Sequence, residues 1–136
     1  MLSLRLHGLT LVLLVLNIVS VVMLFRLVPD RQLAGYIAGT LFVLMGLWVT
    51  ISEFKMGRGL RSVSFWAGLV FLVFSALPIL GIRALNPGVP FDELSVFGVP
   101  GPQLHVISNG TFMLMITATI IEIIRDVVAR RSINPL

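Results

Sequence analysis

Four apolar stretches, approximately Leu6 to Phe25, Leu33 to Ser52, Val63 to Ile82 and Leu104 to Ile124, constrain this chain more than any other feature. Each reaches the roughly 20 residues that a helix needs to cross a hydrocarbon layer about 30 Å thick. None shows the period of two that a membrane barrel strand requires, so helices are expected throughout. With 57% hydrophobic and 12% charged residues and a mean hydropathy of +1.05, the chain has too little polar surface to cover a water-facing globule of 136 residues. The expected fold is therefore an all-α membrane protein: four transmembrane helices in one small bundle, a single domain over residues 1–136. The first stretch is too long for a signal-peptide core and no small-residue cleavage site follows it, so it is read as helix one.

The basic residues set the orientation. A cytoplasmic N-terminus gathers Arg5, Lys55, Arg58, Arg61, Arg125, Arg130 and Arg131 on one side and leaves Arg26, Arg31 and Arg83 on the other, which favours both termini inside a plasma membrane of the bacterial inner-membrane kind. The +4 formal charge lies in short runs between apolar stretches, a topology signal that gives no reason to expect a nucleic-acid partner. Zero cysteines exclude disulfides, thiolate metal sites and thiol nucleophiles.

The two halves align with one another. "LVLLVL" at 11–16 matches "LVFLVF" at 69–74, Pro29 falls on Pro87, and "TISEF" at 50–54 matches "TIIEI" at 119–123. Two parallel-repeat hairpins would account for this, with an insertion in the second exoplasmic loop; chance similarity among apolar helices competes with that reading.

Helical spacing puts small and polar residues on stripes. Gly35, Gly39 and Gly46 share a face of helix two and are read as helix-packing positions. Asn17, Thr50, Glu53, Ser108, Thr119 and Glu122 form a candidate polar path, against which ordinary interhelical hydrogen bonding is the simpler explanation. No carboxylate falls near a helix midpoint, where carriers commonly hold one for an ion or proton. Glu53 and Glu122 sit at the cytoplasmic ends, where Lys55 and Arg125 are available as ion-pair partners.

The loop 86–103 is rich in proline and glycine and carries Asp92 and Glu93. Pro90 suits the first turn of a helix, the two carboxylates suit its positive end, and Gly98 suits its C-terminal cap, so a short interfacial helix is expected over 90–97. Its apolar face would be Phe91, Leu94 and Phe97, and with Arg83, Asp92, Glu93 and His105 it makes a candidate exoplasmic docking surface or gate. His7 and His105 fall at opposite ends of the bundle, so neither a metal nor another cofactor is expected within one subunit. Ser108 lies one turn from His105 without an orienting acid or oxyanion donors, which gives no catalytic set. The expected function is a non-catalytic subunit or assembly partner of a larger membrane complex, held in the bilayer by contact with another membrane protein or by self-association; a homo-oligomeric small transporter or channel is the alternative.

Overall fold

The computed structural model describes residues 2–133. Helix α1 spans Leu2–Leu27 and α2 spans Arg31–Lys55; α3, Val63–Phe71, continues through a wider π turn at Leu72–Ala76 into α4, Leu77–Leu85; α5 spans Gly101–Ile133. Three of these rods, α1, α2 and the continuous Val63–Leu85 unit, are long and apolar enough to cross a membrane. The fourth, α5, is the least apolar of the long helices, because Ser108, Asn109, Thr111, Thr117 and Thr119 interrupt its hydrophobic run. It is also longer than the expected 104–124. At its far end it continues past Ile124 because Asp126 turns inward and is paired there.

The helices form a four-sided bundle in which α1 touches α2 and α5, and α3 touches α2 and α5. Asp30 starts α2 by accepting the Gln32 and Leu33 amides at 2.9 and 3.1 Å, and so serves as a cap without pairing with Arg26 one turn earlier. Ser62 starts α3 in the same way through the Phe65 amide. The π turn lies just ahead of Pro78, whose missing amide and bulky ring disfavour a regular turn; the Leu77 amide bonds to Leu72 O instead, widening the helix locally.

Mid-bundle packing is aromatic. Phe42, Phe71 and Phe112 meet edge to face in pairs, with ring centroids 5.5 to 5.8 Å apart. Leu14, Met45, Val49, Met115 and Ala118 complete a continuous core around Phe71. Glycine allows the close approach of α2 to its neighbour: a Cβ on Gly46 would lie 2.7 Å from Leu72 Cγ, and one on Gly39 would lie 3.0 Å from Leu80 Cδ1.

The expected helix over 90–97 is not formed. Phe91–Glu93 makes a single 3-10 turn, Leu94 is extended, and Ser95–Val96 (β1) pairs antiparallel with Val99–Pro100 (β2). Pro100 favours an extended Val99, and Val96 and Val99 sit opposite each other, a pairing that suits β-branched side chains. Phe97 and Gly98, at φ 49° and 80°, form the two-residue turn, so Gly98 is a hairpin residue and not a helix cap. The face imagined for Phe91, Leu94 and Phe97 is accordingly split: Leu94 is buried against the bundle and Phe97 points fully outward.

Candidate functional site

At the end of the bundle that carries the N-terminus, six charged or ionisable side chains meet. His7 comes from the first turns of α1, Glu53 from the last turn of α2, Arg58 from the link between α2 and α3, and Glu122, Arg125 and Asp126 from α5. His7 Nε2 lies 2.7 Å from Glu53 Oε1 and its Nδ1 lies 2.9 Å from Asp126 Oδ2. Arg58 spans the two acids of α5, donating to Glu122 Oε2 at 2.8 Å and to Asp126 Oδ1. Glu122 Oε1 also accepts Arg125 at 3.1 Å and the Val63 amide at 2.8 Å.

Local sequence explains this convergence. Glu122 and Asp126 are four residues apart, on one helix face, where two like charges repel; the forked guanidinium of Arg58 bridges them and removes that cost. Gly57, at φ 72°, turns the chain back at the end of α2 so that Arg58 can reach inward. Glu53 stands at the negative end of α2, which disfavours an anion, and His7 faces it from α1. Glu122 meets the positive start of α3 at Val63, which favours it.

His7, Glu53, Glu122 and Asp126 are each 4% exposed or less, whereas the Arg58 and Arg125 side chains are 29% and 55% exposed, so the acids and the histidine are buried and the arginines reach the surface. Both ring nitrogens of His7 face carboxylate oxygens. A ring nitrogen bonded to an ionised carboxylate must carry hydrogen, so in each of these two contacts the shared proton sits on His7 or on the acid it faces. Glu53 Oε2 alone among the carboxylate oxygens of the network is buried without a hydrogen-bond partner. Among the described residues no group has the arrangement of a metal site.

The structure brings Glu53 and Glu122 into this one network; Glu122 takes its expected partner Arg125, while Glu53 does not take Lys55. Glu53 takes His7 in place of Lys55, which is exposed, and Glu122 takes Arg58 as well as Arg125. His7, Arg58 and Asp126 are the members that sequence reasoning missed as site residues. The spacing of Glu122 and Asp126 on one face was a usable signal, since two adjacent acids at the end of an apolar helix need a shared cation.

The rest of the candidate polar path is dispersed. Asn17 donates to Leu41 O at 3.1 Å and lines a lateral groove of about 290 Å³ between α1 and α2, together with Leu13, Leu16, Ser20, Leu44 and Trp48. Thr50 and Thr119 each bond back to their own helices, at Gly46 O and Met115 O. Ser108 lies toward the opposite end of the bundle, and the Phe42, Phe71 and Phe112 cluster fills the level between the ends. At that opposite end Arg83 lies over the Phe91 ring at 4.2 Å, and the Phe91 ring is 4.6 Å from that of His105. Asp92 and Glu93 are exposed, and neither forms an ion pair with Arg83. Gly35 is the notch that receives the Arg83 side chain.

The architecture is that of a small helical membrane protein. No family model, curated protein or solved structure matches the chain.

Proposed function

We propose that this protein is a non-catalytic, membrane-embedded subunit or assembly partner, with all four long helices crossing a plasma membrane of the bacterial inner-membrane kind and both termini cytoplasmic. The observation that carries the reading is the lateral groove between α1 and α2. Asn17 and Ser20, near the middle of α1, line a groove that opens to the side of the bundle, not a path through it. In hydrocarbon, amide and hydroxyl groups at such a depth favour association with another helix, because lipid tails supply no hydrogen bonds. The fitting occupant is a transmembrane helix bearing a hydroxyl or amide side chain. The ionic network supports the same reading: its carboxylates are paired within the chain, as suits a clasp that fixes helix positions.

A homo-oligomeric transporter or channel is the second reading. Since the aromatic cluster fills the middle of the bundle, a conducting path would have to run between copies or open that cluster.

The experiment is site-specific photo-crosslinking in intact membranes, with p-benzoylphenylalanine placed at Leu16 in the groove or at Phe74 on the exposed side of the π turn. A discrete adduct with a second membrane protein from Leu16 but not Phe74, lost on Asn17→Leu, is the expected result. Self-adducts from Leu16 would replace this reading with the homo-oligomer. Absence of adducts at Leu16 would remove the groove as an assembly surface.

A further inference from the structure

Arg83, like Arg130 at the other end of the bundle, is a half-buried cation with a guanidinium nitrogen buried without a hydrogen-bond partner; Arg83 also borders a cavity. The Arg83 backbone carbonyl is bonded by Tyr36 Oη at 2.6 Å, so the residue itself is firmly held. Its guanidinium does not extend outward to the surface as a snorkelling side chain would. It folds back against α2 into the notch left by Gly35, beneath the Phe91 ring, and its Nε is buried without a hydrogen-bond partner. Among the described residues no carboxylate forms an ion pair with it.

An adjoining cavity of about 40 Å³ is lined by Arg83, Gly35, Ser108 and His105, with Phe25 and Phe42 among its apolar walls. That volume suits one small group of a few heavy atoms, on the scale of one water or slightly more. A guanidinium presents its donors in a planar fork that matches the oxygens of a carboxylate or phosphate. An aromatic ring over one face leaves those in-plane donors free. The Ser108 hydroxyl, buried beside the same cavity, is a further donor.

We propose that Arg83, with Ser108 and the cavity beside Gly35, is a binding site for a single oxyanion group, a carboxylate or phosphate. The group arrives either as the head of an anionic amphiphile from the surrounding membrane or as a small free anion. The cavity's apolar walls at Phe25 and Phe42 limit it to one such group and exclude a strongly hydrated polyanion. This site is independent of the groove between α1 and α2 and stands or falls without it.

The test uses the full chain purified in an uncharged maltoside detergent, at constant ionic strength. One arm titrates sodium acetate and sodium phosphate against sodium chloride and follows the thermal unfolding midpoint. The other adds phosphatidylglycerol or a fatty acid and counts bound molecules by native mass spectrometry. Wild type should show saturable stabilisation or a single retained amphiphile, and the arm that responds identifies the source. Arg83→Gln should weaken that binding about tenfold or more, the scale of a charge-assisted hydrogen bond. Arg26→Gln, which removes an exposed cation at the same end, should leave it unchanged. Gly35→Ala keeps the charge but puts a methyl where the guanidinium lies, so it should also weaken binding and serves if Arg83→Gln is poorly folded. Absence of saturable binding in both arms, or equal binding by wild type, Arg83→Gln and Gly35→Ala, would overturn the proposal.

Discussion

The two ends of the bundle handle charge in opposite ways. At the end carrying the N-terminus, three buried carboxylates are each paired within the chain, to two arginines and a histidine. At the other end a half-buried arginine lies on an aromatic face with no acid paired to it, beside a cavity and a short hairpin. A paired network around buried acids fixes geometry, because removing any one member strands its partners in a low-dielectric setting. An unpaired guanidinium keeps in-plane donors that a ligand can use. Burial of charge alone does not mark a site; an unpaired cation beside a cavity is the stronger candidate.

The largest expected effect breaks the first half of that comparison. Arg58→Ala strands Glu122 and Asp126 beside each other and should cost about 3 to 5 kcal/mol, read as the unfolding midpoint in mild detergent. A loss below about 1 kcal/mol, the range of an exposed ion pair, would mean that water reaches the network and that it is not a clasp. Next comes the join between the ends, where α2 lies against the π turn. Gly46→Val inserts bulk against Leu72 and Phe71 and should cost about 1 to 3 kcal/mol by overpacking, more than valine at exposed Thr117. Equal effects at the two positions would remove the close approach.

Smaller effects sharpen the description of the opposite end. Asp30→Ala removes two amide acceptors from the start of α2 and should cost about 1 kcal/mol, whereas Asp30→Asn should cost much less. An equal loss for both would point to charge and not to capping. The smallest effect belongs to Phe97, which is fully exposed at positive φ. Phe97→Gly should leave stability within about 0.5 kcal/mol of wild type or raise it slightly, since glycine adopts that conformation freely.

How far the sequence led to this picture depended on the kind of signal each region carries. Apolar runs of membrane length led to the rods directly, because each run is a local property of its own segment. Gly35, Gly39 and Gly46 could be placed on one face by periodicity, and the structure sets all three against the rod that follows α2. The segment from Pro90 to Gly98 misled, because its proline, acids and glycine suit a short helix as well as they suit a turn and a hairpin. What decided it was the Val96 and Val99 pairing, together with Pro100, which lies beyond the expected helix. The network was half legible. Glu53 and Glu122 stood out as acids at helix ends, but His7 and Asp126 are 119 residues apart, and no local pattern announces that they meet. Arg83 was visible as a cation near a helix end; its turn inward toward Gly35 is a tertiary fact.

Paired charge holds one end of the bundle together and the unpaired Arg83 does not hold the other, a difference that a pairwise measurement reads out. The unfolding midpoints of Arg58→Gln and Arg83→Gln should be compared with wild type in the same uncharged detergent, without added carboxylate or phosphate. Arg58→Gln should lower the midpoint strongly, and Arg83→Gln should leave it unchanged or raise it slightly. A drop for Arg83→Gln as large as that for Arg58→Gln would contradict that difference.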